Sequence, residues 1–598
     1  MAIGRFPKSD YVTVILHWTI VAAFAVLVFT GLRIASDSPG YEWLASLDPV
    51  LPMEHLWFRH MVAGSVLAAG VTSYAVFIVR ARLTQRIAID RARLSALFRG
   101  KRSAIGALNG LVLWVLLASL VAEIVTGTML FLGAGSDLIA YHLLATWVVL
   151  VSAGLHVVLH AAYGGVHQLL RIVRPGPLIV TPPPPDFAEL LADHLRRDAR
   201  PRERTDGAKP KRHSGALYSH PVATAAAVGI AVLTLSAELE QLTRLELRVV
   251  EISGVPPPVL DGDLSDPAWG QAQPVKFMTT QGGDFGGAGQ SEVEIRAVHD
   301  GEYAYFAFVW TDPTRSLKHL PLVKTSDGWH IARPQPSADD TAQTNDPLED
   351  KFSVLLVRPS LPLIGAAIHL SRAPLAGKPS GRSQRGLHFT SGEIADVWQW
   401  RASHAGAIGY IENCHFGGPA EPDDDANYAV PASASSRYLG GFKRDPGPPA
   451  FQDNIAGPMN ADGNTVRPLR LPLDPQAMQT AIGRVSDDVR KSESEGARWW
   501  MSQRESAPYS AAADAKLPAG TIVPSIIMLD DVKMEPTSIR GVARWAAGRW
   551  TLELVRRLHT GSPYDLPIKT GTLMWVAAFD HSETRHTRHL RPLRLEVE

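Results

Sequence analysis

The chain has 598 residues with 59 basic and 59 acidic side chains, so its net charge is zero, and no nucleic-acid partner is expected. Its single cysteine, Cys414, excludes a disulfide framework, a cysteine-held iron–sulfur cluster and, with no Cys-x-x-Cys-His motif, covalently attached haem. The length exceeds one compact domain, and the balanced composition hides two halves: long apolar runs up to about residue 237, then a remainder rich in Gly, Pro and Asp.

Five segments match the roughly 20 apolar residues that cross a hydrocarbon core: Val12 to Leu32, Leu56 to Val79, Ile105 to Leu132, Leu138 to Leu170 and Ala216 to Ala237. The first has no small-residue cleavage site nearby and is expected to be a retained helix rather than a signal peptide. Basic residues crowd the connection after the second span (Arg80 to Arg102) and the stretch after the fourth (Arg171 to Arg212), whereas the loops after the first and third carry Asp37, Glu42, Asp48, Glu54 and Asp137. That asymmetry predicts a cytoplasmic N-terminus, and five crossings then put everything after Ala237 outside, as expected for a protein of the bacterial cytoplasmic membrane with a periplasmic domain.

Four histidines fall within the first, second and fourth spans: His17, His60, His142 and His156. Such side chains are rare in a bilayer and mark functional sites, and imidazole is the usual axial ligand of haem b. His17 starts the first span on the inner side, while His60 lies about 30 Å of helix rise before Arg80 and hence near the outer surface. His142 opens the fourth span on the outer side. His156 follows nearly four helical turns later, about 21 Å deeper and on roughly the same face. Depth therefore pairs His60 with His142 and His17 with His156, giving two stacked haems and an electron path across the lipid membrane. His160, one turn beyond His156, is the rival partner for His17; failing that, it suits a quinone head group or a propionate. Gly31, Gly64, Gly127 and Gly154 either clear room for a macrocycle or let helices pack closely. Arg59 and Arg33 either pair with propionates or snorkel to the interface. His55, His167 and His220 lie near interfaces and read as solvated.

The runs Leu16-His17-Trp18, Leu27-Val28-Phe29-Thr30-Gly31-Leu32 and Arg59-His60-Met61-Val62-Ala63-Gly64, with the His142/His156 pair, resemble the di-haem cytochrome b family of formate dehydrogenase gamma subunits and nickel–iron hydrogenase cytochrome b subunits, over about residues 8 to 175. The resemblance implies the same ligand pairs as depth does.

A transmembrane haem bundle of four helices thus occupies residues 1–175. Residues 176–215 form a cytoplasmic Pro-rich basic linker, in which Asp186 to Arg197 has the spacing of a surface-lying helix. A fifth span, 216–237, tethers the C-terminal half to the membrane.

Residues 245–598 read as all-β, a sandwich with large loops. Val293, Ile295 and Ala297 alternate with charged residues before the Asp300-Gly301 turn, and Tyr303 to Trp310 returns. Lys351 to Val357, Trp550 to Val555 and Leu573 to Phe579 have the same pattern. The pieces Val259-Leu-Asp-Gly-Asp-Leu with Trp269, Ala297-Val-His-Asp-Gly-Glu-Tyr-Ala-Tyr-Phe with Trp310, Asp396-Val-Trp-Gln-Trp-Arg-Ala and Gly548-Arg-Trp-Thr-Leu-Glu-Leu-Val resemble the haem-binding domain of ethylbenzene dehydrogenase gamma subunits. That resemblance implies one further haem b, held in the family by a methionine and a lysine. At the matching places this sequence has His388 and His586 instead, with His369 and His581 as substitutes. Met278 reads as core, Asp423 to Asp425 as a solvated loop, and Gly282 to Gly289 as a glycine loop lacking the strand–helix context of a phosphate site. No nucleophile triad or flavin fingerprint occurs, so no catalytic residue is assigned.

The expectation is a membrane electron-transfer cytochrome linking the quinone pool to a periplasmic redox protein or oxidoreductase subunit. Two alternatives stand beside it. The outer domain holds no haem and captures a ligand, because its Asp-Gly-Asp and aromatic strands also resemble carbohydrate-binding sandwich modules; or the chain is a membrane anchor and assembly subunit.

Overall fold

The computed structural model describes residues 9–36, 41–47, 50–52, 56–84, 87–98, 100–133, 137–176, 220–282, 284–332, 348–358, 368–371, 386–389, 394–416, 443–456, 465–483, 488, 490–530, 538–582, 585–589 and 591–598. The chain divides into two compact units, one built from the apolar helices and one from the strands.

Five helices among the described residues are long and apolar enough to span a membrane. They are α1 (Tyr11–Ala35), α2 (Leu56–Arg80), α3 (Lys101–Phe131), α4 (Asp137–Leu169) and α5 (Pro221–Leu242). Ala23, Leu67, Leu120 and Val149, one from each of α1 to α4, meet in a small common core. Large apolar side chains such as Ile15, Phe29, Val121, Val151 and Leu235 face outward, the inverse of a water-soluble bundle and the pattern a lipid solvent selects. Span five departs from the sequence reading. It starts at Pro221, where the missing N–H of a first-turn proline costs nothing, and extends to Leu242. It is also more than a tether: Ala225 packs against Phe77, and a Cβ on Gly229 would lie 2.5 Å from Ser73 Oγ, a close helix contact in which any larger residue would make the Ser73 hydroxyl turn away. The proposed surface helix and nearly all of the linker lie outside the described residues.

The second unit is built on strands β1 (Leu245–Glu251), β2 (Val275–Thr279), β3 (Ser291–His299), β4 (Tyr303–Thr311), β5 (Lys351–Val357), β6 (Ala395–Arg401), β7 (Tyr410–Phe416), β8 (Ile539–Ala546), β9 (Arg549–Arg557), β10 (Leu573–Phe579) and β11 (Leu593–Val597). Their pairing runs β6-β5-β10-β11-β1-β3-β4-β9-β8-β7, and β7 pairs back to β6. The expected sandwich is therefore a closed ring of ten strands, with β2 pairing along the part of β3 that β1 does not cover. Closure removes the open edges that a free sandwich would have to protect. Most neighbours are antiparallel, but β1 lies parallel to both β11 and β3.

Strand alternation fills both faces. Ala304, Phe306, Phe308 and Trp310 of β4 point into the main core with Phe352, Trp398, Trp400 and Trp550, where Trp310 stacks on Phe352 at 4.5 Å and Trp400 meets Trp550 at 4.8 Å. Tyr305 and Ala307 face outward and are covered by Trp269 and Leu260. Met278 sits on the added strand β2 and is 45% exposed, which corrects its reading as core: β2 presents that face to solvent.

His589 supplies a pH-dependent brace for this unit. Its Nε2 accepts the Val576 N–H at 3.0 Å while its Nδ1–H donates to the Arg591 carbonyl at 2.6 Å, so the neutral ring satisfies both groups. Burial lowers its pKa to about 4. Below about pH 6.5 the unfolded chain binds a proton that the folded chain refuses until about pH 4, so this contribution is complete above that window and is lost as pH falls through it. His589→Gln should flatten the acid limb of the melting temperature against pH, read by tryptophan fluorescence.

Candidate functional site

In the helical unit, α2 and α4 bring the rings of His60 and His142 together, with centroids 6.4 Å apart and planes at 71°. Two imidazoles bonded to one metal from opposite sides at about 2 Å have ring centres about 6.3 Å apart, so this pair has the separation an axial pair requires. Neighbours on α3 and α4 fix the His142 ring. Thr126 donates its hydroxyl proton to the Ala122 carbonyl, and its oxygen then accepts from His142 Nδ1 at 2.8 Å. Glu123 lies 2.9 Å from the same nitrogen and is itself held by Thr146 at 2.7 Å. With Nδ1 thus engaged as a donor, Nε2 is the nitrogen that can ligate, the arrangement in which a carboxylate orients a metal-binding histidine. Gly127 permits it: a Cβ there would stand 3.3 Å from His142 Cε1. A Cβ on Gly64, one turn after His60, would meet no atom within 4 Å, so room for a flat group lies beside that helix.

The other membrane histidines form a second group. His17 lies close enough to His156 and His160 for direct electrostatic interaction, and the rings of His156 and His160 are 4.5 Å apart. His156 Nδ1 is enclosed without a hydrogen-bond partner among the described residues, an orphaned polar atom that a bound group could satisfy. His160 Nε2 meets the Asn109 amide at 3.2 Å. Asn109 was not singled out from the sequence; an amide three residues into an apolar run that begins after Gly106 was the available signal. These donors fit b-type haem: imidazoles at depth, one oriented by a carboxylate and one unsatisfied.

Arg33 is fully buried and donates to Ser36 Oγ at 2.6 Å, whereas Arg59 is exposed. His167 and His220 are exposed, as expected for interfacial residues, and His55 lies outside the described residues.

In the strand unit, the hairpin Ile368–Ser371/Gly386–Phe389 places His369 directly opposite His388 in register. His586 packs on Phe579 with ring centroids 4.9 Å apart. His581 is buried among carboxylates: Nδ1 lies 2.5 Å from Asp580, and Nε2 faces Asp284 at 3.6 Å. Its backbone is held at φ 33°, a strained position for a non-glycine residue. The Asp580 beside it faces Asp312 and Asp350, and burial followed by mutual repulsion holds both of those carboxyls well above the usual range. Residues 423–425 lie outside the described residues.

The Asp-Gly-Asp and Trp pattern proves to be internal structure. Glu553 accepts the N–H groups of Asp261 and Gly262 at 3.0 and 2.7 Å and the indole of Trp269 at 2.7 Å, and Trp269 is fully buried. That indole offers no face on which a sugar could stack.

Comparison with known proteins agrees with this division. Residues 8–175 match the family model for prokaryotic cytochrome b561, and residues 266–591 match that for ethylbenzene dehydrogenase. No curated protein matches the chain. Two solved structures align with the chain at 8% identity: a Bacteroides uniformis ATCC 8492 protein described as carbohydrate-binding (59% of this chain, 99% of that one, TM-score 0.22), and a family 9 carbohydrate-binding module from Caldicellulosiruptor kristjanssonii in complex with glucose (59% and 95%, TM-score 0.19). At those scores neither informs the function. The helical unit is a multi-pass membrane cytochrome b domain. With more than half of its length matched, the chain belongs to the ethylbenzene dehydrogenase family, and it carries a prokaryotic cytochrome b561 domain ahead of that region.

Proposed function

We propose that this chain transfers electrons across a bacterial cytoplasmic membrane through two b haems, one held by His60 and His142 and one by His17 and His156, and exchanges them with the quinone pool and with a periplasmic redox partner. The separation of His60 and His142 carries the reading, because an axial pair needs that spacing and a packing pair does not. Bound haem b supplies the one-electron chemistry. The chain orients His142 through Glu123 and Thr126, and it leaves His160 with Asn109 as a polar pair within the apolar bundle, suited to a quinone oxygen. Basic-residue asymmetry supports a cytoplasmic N-terminus and a periplasmic strand domain.

The strand domain completes the relay in this proposal with a third haem b, for which His388 and His586 are the ligands, and His369 and His581 the substitutes. Family membership supports a haem there. The carboxylates around His581 engage both nitrogens of its ring and count against it as a ligand.

Pyridine haemochrome assay of the full-length chain in detergent tests both levels. Three haems per chain, falling to two in His388→Ala or His586→Ala, is the expected result; two haems with no change in those variants removes the outer haem and leaves the membrane pair. Glu123→Gln provides a finer check. Loss of an orienting carboxylate typically weakens metal-site affinity about 10- to 100-fold, so the variant should lose haem on dilution and shift the midpoint potential of one haem only.

A further inference from the structure

We infer that the end of the strand barrel holds a zinc ion, ligated by His319, Glu349 and His404. The three residues come from separate chain segments at the same end of the barrel: His319 follows β4, Glu349 lies two residues before β5, and His404 follows β6. Nδ1 of His404 and Nδ1 of His319 converge on one oxygen, Glu349 Oε1, the latter at 3.4 Å. All three donor atoms lie within 4.8 Å of one another. Around a tetrahedral ion with bonds of about 2.0–2.1 Å, neighbouring donors stand about 3.3 Å apart; the His319–Glu349 pair already has that separation, and the closer His404–Glu349 pair reaches it by opening around the ion.

Two imidazoles and one carboxylate select zinc or a similar borderline ion over calcium or magnesium, which take oxygen shells. Haem iron is excluded by geometry. The His319 and His404 ring centroids are 4.5 Å apart at 88°, too close to flank a macrocycle and suited to adjacent positions on one ion. The surroundings are those of a built site. Glu349 and His404 are 1% exposed and His319 is 15% exposed, which leaves one side for entry and for a water as fourth ligand. Ser403 N–H at 2.5 Å fixes Glu349 Oε2, Arg401 Nε lies 3.1 Å from Oε1, and Phe451 packs edge-on against the His404 ring. Arg401 also adds positive charge. Glu412, 4.0 Å from Arg401 Nη1, offsets it.

The test is zinc content of the full-length, detergent-purified protein by plasma mass spectrometry, with zinc-edge X-ray absorption, which haem does not mask. About one zinc per chain with imidazole scattering is expected, lost in His404→Ala and in His319→Ala but kept in His388→Ala, with circular dichroism unchanged. Protein that stays zinc-free after dialysis against zinc overturns the assignment. So does zinc that survives both histidine changes and is lost in Asp350→Asn, which would put the ion on the aspartate cluster instead. Should either histidine variant fail to fold, the absorption spectrum of the wild type alone decides, because scattering without imidazole also overturns the site.

Discussion

Replacing His142 with alanine should remove one haem from the membrane domain and leave the other. The imidazole is held from behind by Glu123 and Thr126 and lies 6.4 Å from the His60 ring, so its loss removes one of the two residues that would hold a haem there and also strands the carboxylate that oriented it. A haem left with His60 alone would dissociate during purification, and the reduced-minus-oxidised α band should fall by one haem equivalent. His60→Ala should give the same spectrum, and His17→Ala should remove the complementary component. Added imidazole entering the space vacated in His142→Ala should restore the lost band, which separates a missing ligand from a misfolded bundle. An unchanged haem content in both His60 and His142 variants would sink the pairing.

The second large effect is expected at Arg556, whose side chain is 1% exposed inside the barrel. Its guanidinium pairs with Asp396 at 2.8 Å and Asp565 at 3.4 Å and stacks 5.0 Å from the centre of the Trp398 ring. Asp396 also accepts the Leu566 N–H at 2.8 Å. Removing one partner of such a pair leaves uncompensated buried charge, so Arg556→Leu should destabilise the strand domain by about 3–5 kcal/mol, read as a lower urea midpoint of tryptophan fluorescence. Burial, against the pull of Arg556, raises the Asp396 pKa to about 6. Because this folded-state value is above the unfolded one, its contribution is present at low pH and declines as pH rises through about 6. Without Arg556 the carboxyl must stay protonated to higher pH, so the deficit of the variant should be smallest in acid and grow toward neutrality. The double change Arg556→Leu with Asp396→Leu should recover part of the loss; no recovery would mean that Arg556 acts mainly through its contact with Trp398.

Much of the architecture is legible in the sequence because it depends on local pattern. Apolar runs located α1 to α4 to within a few residues, and two-residue alternation located β3, β4, β5, β9 and β10. Span five was misplaced because Ala216 to Tyr218 are apolar enough to extend a hydropathy window, whereas the helix begins at Pro221. Closure of the ring was not legible. It depends on β7 returning to β6 and on β1 lying parallel to β11, contacts between distant segments with no local signature. The membrane histidines stand out because their surroundings are apolar. His319, Glu349 and His404 do not, since isolated histidines in a polar stretch look alike until the barrel brings three loops together. Trp269 shows the converse: its motif read as a ligand signature, yet its indole is held by Glu553 from a strand far along the chain.

The parallel joint between β1 and β11 has a consequence for how the strand domain forms. Leu593 pairs with Leu245, so one edge of the first strand of the ring finds its partner only in the last. Contacts of such sequence separation incur loop-closure entropy before they are rewarded and make folding slow. During synthesis β1 emerges early and must wait, with one edge unpaired, until β11 arrives. A chain cut before Leu593 would keep most of its core residues yet hold an open edge on β1, turning a closed barrel into a template for strand addition between molecules.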